Sequence, residues 1–196
     1  MAEFHSNLAL ALKSLGRLDE AEASLKRALE FQPHAAQLHN DLGVILLQAG
    51  RLSEAADSCN RAIALNPELG LGHSNLGVTL AEMGKMRDAV DSYTRAIALM
   101  PDCPDRYLNL GNALSASGRL DQAAAAFSKA IAIRPDYAGA YNNLGNTLKD
   151  LGRLDEAKSS YAQAIGLKPD YADAHGNLGL ALFESGDYAR AQVHFE

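Results

Sequence analysis

The sequence has few residues of several kinds, and each shortage argues against a class of protein. Its 196 residues include no tryptophan and two cysteines, Cys59 and Cys103, without a C-x-x-C motif or a Cys/His cluster at zinc-ligand spacing. A disulfide framework and a zinc site are therefore not expected. Since Cys59 stands where other parts of the chain have Leu, Tyr or Phe, we expect a small buried hydrophobic side chain there and not a reactive thiol.

Basic charge and long apolar runs are also scarce. Lys and Arg number 18 against 24 Asp and Glu, which gives a net charge of −6, and no basic run could follow a phosphate backbone. No apolar run approaches the roughly 20 residues of a bilayer-spanning helix, and the first residues, MAEFHSNLAL, do not resemble a signal peptide. We expect no nucleic-acid partner, no membrane and a cytoplasmic location, unless a signal has been trimmed from the chain.

What the sequence does contain is a unit of 34 residues that repeats along the whole chain. A leucine, an alanine and a proline recur in register with a glycine, which is found at Gly16, Gly50, Gly84, Gly118, Gly152 and Gly186. The period predicts a single array whose repeats span 2–35, 36–69, 70–103, 104–137, 138–171 and 172–196, the last one partial. Positions below are counted within these repeats.

Each repeat is predicted to form two helices. In the fifth repeat, Leu144, Gly145 and Leu148 follow helical spacing on one apolar stripe, and Ala157 and Tyr161 begin a second stripe. The repeated glycine suits the left-handed residue that ends the first helix, and the proline follows the end of the second. Small residues such as the glycine at position 8 let the paired helices approach closely. One repeat cannot bury both stripes alone, so we expect an all-α solenoid of stacked antiparallel helix pairs.

These residues resemble the tetratricopeptide repeat. The signature in the third repeat consists of Leu76, Gly77, Leu80, Gly84, Ala89, Tyr93, Ala96 and Pro101. Nearly every repeat matches it, with Ala9 and Cys59 as apolar departures. The resemblance implies a right-handed superhelix whose concave surface is lined by the first helix of each repeat.

A row of amide side chains is the strongest candidate for a binding site. Position 6 holds Asn7, Asp41, Asn75, Asn109, Asn143 and Asn177, and Asn112, Asn142 and Asn146 flank the row. A helical wheel puts positions 2, 5, 6, 9 and 13 opposite the packing stripe, where side chains are free to meet a partner. Asparagine both donates and accepts hydrogen bonds. The row therefore holds the backbone of an extended peptide, or the backbone of a neighbouring repeat, or both.

Two precedents within the family bear on the ligand. The carboxylate clamp of chaperone-binding domains is disfavoured, because Lys13 and Lys149 are the only cations near the groove. The segment AYNNLGNTLKDLGRLDEA is similar to the repeats of O-linked N-acetylglucosamine transferases. That similarity implies that the asparagines at position 6 bind substrate peptides. The catalytic domain of those enzymes is absent from these residues.

Two other patterns suggest chemistry but have simpler explanations. Histidine occupies position 4 in four repeats, at His5, His39, His73 and His175. Equivalent positions of stacked helices are about 10 Å apart, too far to share a zinc ion, so we predict a packing role. Acidic pairs such as Asp155 and Glu156 open the second helices, where we expect them to cap free N–H groups and not to act as catalytic carboxylates.

The sequence therefore predicts a non-enzymatic scaffold that binds a protein or an extended peptide in its groove. No catalytic, cofactor-binding or metal-binding residue is predicted. One alternative is the substrate-recruiting arm of an enzyme such as an O-linked glycosyltransferase. Another is a structural unit that self-associates through an uncapped C-terminal end, since Phe195 stands at an aromatic packing position near the last residue. A second explanation of that end is that the chain is the first piece of a longer protein.

Overall fold

A computed structural model describes residues 1–194, and all regular secondary structure in that range is α-helical. Phe195 lies outside the described residues. The twelve helices of this part of the chain are α1 (Ala2–Ser14), α2 (Leu18–Phe31), α3 (Ala36–Gln48), α4 (Leu52–Leu65), α5 (Gly70–Glu82), α6 (Met86–Leu99), α7 (Pro104–Ala116), α8 (Leu120–Ile133), α9 (Ala138–Asp150), α10 (Leu154–Leu167), α11 (Ala172–Glu184) and α12 (Tyr188–Val193). The predicted all-α fold of stacked helix pairs is confirmed.

The first helix of each pair ends at a glycine in the left-handed conformation, as predicted. At the end of α9, Gly152 has φ +76°. Its N–H donates to the Lys149 carbonyl at 2.8 Å, and the Arg153 N–H donates to the Leu148 carbonyl at 2.8 Å. This pair of bonds is the Schellman motif, which satisfies the last free carbonyls of the helix and turns the chain back toward the next one.

Within a pair, the helices approach closely at the glycine of position 8. A Cβ atom added to Gly145 would lie 2.5 Å from Cε1 of Tyr161. Gly111 and Phe127 show the same relation, and in the second repeat the atom that approaches Gly43 is Sγ of Cys59. Cys59 is fully buried, and burial raises the pKa of its thiol to about 11. The small residues are thus part of the packing, as the sequence predicts.

The chain packs as two compact units, residues 1–101 and 102–196. In the first unit each helix packs on the next one, and α3 also contacts α5. In the second unit α9 contacts both α7 and α11. Within each unit, first helices of neighbouring pairs therefore lie side by side, as α3 does with α5 and α9 with α7 and α11. The prediction of one continuous array, with the repeat boundaries given above, stays a prediction.

The acidic residues at the start of the second helices have a different role from the predicted one. Neither α2 nor α10 has a side-chain cap bond at its N-terminus. Glu20 pairs with Arg17 instead, and Glu156 pairs with Arg153, each at 2.6 Å. The capping prediction is wrong for Glu20 and Glu156, because each carboxylate binds the arginine directly before its helix. Both residues still lie in the first turn, where negative charge favours the helix dipole. Of the described helices, none is long and apolar enough to cross a membrane.

Candidate functional site

The predicted site residues all lie on first helices, but their exposure differs. Asn7 and Asn112 are exposed, and Asn142 is buried. The others are half-buried: Asp41, Asn75, Asn109, Asn143, Asn146 and Asn177. The row is therefore not a uniform line of open amides, and the contacts of each amide decide what it can do.

In the first unit, the amide at position 6 is held by a buried partner in the preceding repeat. Nδ2 of Asn75 donates to Oδ1 of Asn40 at 2.8 Å, and Asn40 is only 2% exposed. At Asp41 the bonds are local, because Oδ1 accepts from Nε2 of Gln37 at 2.7 Å within α3. The contact between repeats is thus made by two side chains, whereas the sequence suggested a bond to a neighbour's backbone.

The second unit repeats this arrangement at its far end. Nδ2 of Asn177 donates to Oδ1 of Asn142 at 3.0 Å. Asn142 is 5% exposed, so the expectation that its side chain is free to meet a partner is wrong. The reason is tertiary, because the next first helix, α11, packs beside α9 and covers position 5. Asn142 supports the neighbouring helix and orients Asn177.

Asn143 makes a different contact. Position 5 of the preceding repeat is Leu108, which offers no polar atom. Nδ2 of Asn143 donates instead to Oδ1 of Asn112, at position 9, over 2.9 Å. This contact is exposed, and it lies over an open space between α7 and α9. Leu108 stands where the second and fifth repeats have Asn40 and Asn142, so the amide of Asn143 bonds at the surface and not to a buried partner.

That space is a pocket of about 320 Å³ that we call the asparagine pocket. Its lining consists of Asn112, Ser115, Ala116, Phe127, Asn143, Asn146 and Thr147. Three of these are predicted site residues. None carries a formal charge, so the pocket offers neutral hydrogen-bonding groups around one aromatic ring.

A hydrogen bond from α10 orients the Asn146 amide of the asparagine pocket. The Tyr161 hydroxyl donates to Oδ1 of Asn146 at 2.8 Å. Burial raises the pKa of Tyr161, so this hydroxyl keeps its proton and stays a donor. Oδ1 of Asn146 and of Asn112 each accept a bond, whereas the Nδ2 groups of both residues have no partner in the described part of the chain. These N–H groups are available to a ligand.

Sequence reasoning missed the residues that complete the pocket. Phe127 stands at the aromatic position of its repeat, which indicates packing and not binding, and Ser115 and Thr147 have no distinctive spacing. Thr147 is nearly fully buried, and its hydroxyl donates to the Asn143 carbonyl at 2.9 Å within α9. A search for polar residues one turn from position 6 could have found it.

The histidines of position 4 hold the turns between repeats. Nε2 of His39, His73 and His175 lies 2.9, 3.0 and 2.9 Å from the carbonyl oxygen of the proline six residues earlier in each case. These bonds give the row a structural role, in agreement with the predicted packing function. No group of three His, Cys, Asp or Glu side chains that could bind a metal occurs within residues 1–194.

Helix pairs that recur at a fixed length and pack mainly on their chain neighbours define an α-helical repeat protein. Models of the tetratricopeptide repeat match residues 6–69, 73–107, 111–152 and 145–186, which together cover most of the chain. The chain therefore belongs to the tetratricopeptide repeat family. These matches identify the family. They do not address the similarity to the repeats of O-linked N-acetylglucosamine transferases.

Several solved structures are similar to the chain. MamA is 27% identical with a TM-score of 0.76, over 79% of this chain and 90% of that one. YrrB, described as a TPR protein with an unusual peptide-binding site, is 26% identical with a TM-score of 0.76, over 87% and 88%. PilF of Pseudomonas aeruginosa shares the fold, with 19% identity and a TM-score of 0.85 over 98% and 88%. A search of curated proteins found no significant match.

Proposed function

We propose that the protein is an interaction scaffold that binds an extended peptide of a partner protein, and that the asparagine pocket is its central contact. The observation that carries the proposal is the convergence of Asn112, Asn143 and Asn146 from two neighbouring first helices on one neutral pocket. Support also comes from the tetratricopeptide repeat matches and from YrrB, whose peptide-binding site belongs to a similar fold.

The hydrogen-bonding groups of the pocket suit a peptide backbone. The unpaired Nδ2 groups of Asn112 and Asn146 can donate to backbone carbonyls. Oδ1 of Asn143 accepts one bond of 3.4 Å from Nδ2 of Asn142 and can accept a second from a backbone N–H. An extended chain presents both groups at regular intervals and without regard to its side chains. The absence of charge in the pocket gives no preference for an acidic or a basic ligand. The remaining members of the row, Asn7, Asp41, Asn75, Asn109 and Asn177, are proposed as further peptide contacts, each on a first helix of its own unit.

The resemblance of the fifth repeat to those of O-linked N-acetylglucosamine transferases supports a related candidate. In that case the same pocket would recruit peptide substrates for a catalytic domain outside these residues. Both candidates predict the same peptide contacts. They differ in whether the bound peptide is then modified by an enzyme joined to this chain.

A candidate of another class rests on apolar exposure at the last helix pair. Phe183, Tyr188 and Val193 are 56%, 62% and 70% exposed. Such a patch favours self-association. Light scattering over a range of concentrations tests this candidate, and a constant monomer mass rules it out.

The peptide proposal can be tested with a displayed library of random extended peptides, selected on the wild-type protein. Titration calorimetry then compares the selected peptides on the wild type and on the double variant Asn112→Ala/Asn143→Ala. Each hydrogen bond contributes about 1 kcal/mol, so we expect the double variant to bind roughly tenfold or more weakly. Its thermal stability should change little, because Asn112 is exposed and Asn143 half-buried.

Two controls make this experiment specific. Asn60→Ala removes an exposed asparagine of α4 and should leave binding unchanged. N-methylation of single peptide bonds in the ligand should weaken binding more than alanine substitution of its side chains, because the proposal assigns recognition to the backbone. If the double variant binds as the wild type does, the pocket is not the site. If it unfolds at a much lower temperature, the amides are mainly structural.

A further inference from the structure

The first helix pair has an apolar face with a pocket of about 370 Å³ that is separate from the asparagine pocket. Leu8, Leu12, Arg17 and Glu20 are among its lining residues. Phe4, one turn before Leu8 on α1, is 64% exposed. Large apolar side chains beside charged ones are typical of a surface that binds another protein.

The chain itself shows what covers such a face, because the second repeat carries the same face in covered form. Leu38 and Leu42 occupy the positions of Phe4 and Leu8, and they are 6% and 8% exposed, whereas Leu8 is 38% exposed. These two leucines share one core cluster with Ala21, Leu25 and Ala28 of α2. The equivalent face of the first repeat therefore has the shape of a site for a helix like α2.

An arginine at position 16 gives this face a charged contact as well as an apolar one. In the second repeat, Nε and Nη2 of Arg51 bind Glu54, and Nη1 binds Glu22 of α2 at 2.5 Å. Arg17 makes the same first contact, since its Nε and Nη2 bind Glu20 at 2.6 Å. Its Nη1 has no partner in the described part of the chain. Nη1 of the arginine binds the Glu22 carboxylate in the second repeat. The equivalent Nη1 of Arg17 is thus free in the first repeat.

A second polar atom beside the pocket also lacks a partner. Nδ1 of His5, another lining residue, is buried and makes no hydrogen bond within residues 1–194. A docked helix or the water that it traps can satisfy this atom. The face thus combines exposed leucine and phenylalanine, an arginine with an open donor, and an unsatisfied ring nitrogen.

We propose that this face binds an amphipathic helix of a partner protein, one that carries leucines at the positions of Leu25 and Leu29 and a glutamate at the position of Glu22. The leucines fill the pocket over Leu8 and Leu12. The glutamate binds Nη1 of Arg17. This site is independent of the groove, so the proposal holds whether or not the protein binds extended peptides.

The probe is a synthetic peptide with the sequence of α2, LDEAEASLKRALEF. Because an isolated helix of this length is marginal in water, it is stabilised by a link between the positions of Ala23 and Arg27. Both positions are exposed on the far side from α3. Binding of the labelled peptide to the full chain is measured by fluorescence anisotropy. We expect saturable binding that the unlabelled peptide competes away.

Variants of the protein locate the binding. Leu8→Asp places a charge in the apolar face and should weaken binding at least tenfold. Leu167→Asp is the matched control, because Leu167 is similarly exposed at 41% but lies on α10. Circular dichroism shows whether each variant keeps its helices. Arg17→Gln, a surface change that the fold should tolerate, gives a second test of the same face.

The charged contact is tested by pairing variants of protein and peptide. Glu22→Gln in the peptide, and Arg17→Gln in the protein, should each weaken binding about threefold, as expected for a partly exposed ion pair. Together they should be no worse than either one alone, since each removes the same contact. Binding that survives Leu8→Asp, additive effects of the two Gln variants, or no binding at all would each overturn the proposal. A dimer of the chain that buries this face and excludes the peptide would also overturn it.

Discussion

At the scale of single residues, Gly145 and Gly166 show that two helical glycines of one unit can have opposite roles. Gly145 faces the ring of Tyr161, which is fully buried, and an added Cβ would lie 2.5 Å from it. Gly166 lies on α10 with no atom within 4 Å of an added Cβ. The period of 34 residues identifies the first as part of the signature, and the structure shows which neighbour requires it.

We expect Gly145→Ala to lower the free energy of unfolding by about 1–3 kcal/mol, because the new methyl group overpacks against the tyrosine ring. Gly166→Ala, the matched control, should raise it by up to about 1 kcal/mol, since alanine favours the helix. Urea denaturation followed by circular dichroism measures both. Equal effects of the two changes would contradict the role assigned to the close contact.

The two cysteines differ in burial, and this difference predicts their reactivity. Cys59 is fully buried with a thiol pKa raised to about 11 by burial, so at pH 8 it remains protonated and covered. Cys103 is half-buried at the start of α7. In the folded protein we expect a disulfide reagent to modify Cys103 well before Cys59, and unfolding in urea to equalise their rates. Mass spectrometry of the labelled peptides distinguishes the two, and fast labelling of folded Cys59 would refute the prediction.

At the scale of helices, the ends of the elements depend on local chemistry. Every first helix ends at a glycine with positive φ, between 73° and 81°. The N–H groups at and just after each glycine bond to carbonyls of the last helical turn, fewer than six residues earlier in the chain. The helix end therefore needs no distant partner. This explains why the sequence predicts the helix ends well.

Gly152→Ala forces a side chain into the left-handed conformation between α9 and α10. We expect the free energy of unfolding to fall by about 1 kcal/mol, with no clash involved because no atom lies near the added Cβ. Gly152→Asn should cost less, since asparagine tolerates this conformation. Thermal unfolding of the two variants checks the order. Asparagine that is as costly as alanine would show that the backbone conformation is not the cause.

At the scale of the whole molecule, contacts are made mainly between helices that are close in sequence. In the first unit, a core cluster joins the first two repeats through Leu25, Leu42 and Leu46. A separate cluster joins the last two through Tyr161 and Leu182. Stability in such a protein is a sum of local terms, and damage to one cluster stays local.

Leu25→Ala removes a fully buried side chain and should cost about 2–5 kcal/mol in its own cluster. Hydrogen exchange followed by mass spectrometry should show lower protection in α1 to α4. Protection in α9 to α11 should stay at the wild-type level. A uniform loss along the chain would contradict the local character of the stability.

The sequence alone determined the helix pairs, their ends and the close contacts at position 8. The helix pairs and close contacts follow from spacing within one 34-residue unit, as in the pairing of Gly145 with Tyr161. The helix ends follow from the positive φ that glycine adopts without support from tertiary contacts. The period also identified the row of asparagines, and it placed Asn112, Asn143 and Asn146 on first helices.

Only the tertiary structure decided what each asparagine does. Asn142 and Asn177 are 35 residues apart, and Asn143 and Asn112 are 31 apart, so their pairing depends on how successive first helices pack. A helical wheel describes one helix in isolation, and it therefore took the buried Asn142 to be open. The same packing placed Phe127 and Thr147 beside the amides of the asparagine pocket. A hydrogen bond or a pocket that joins two helices needs their relative position, which the residue pattern of either helix does not contain.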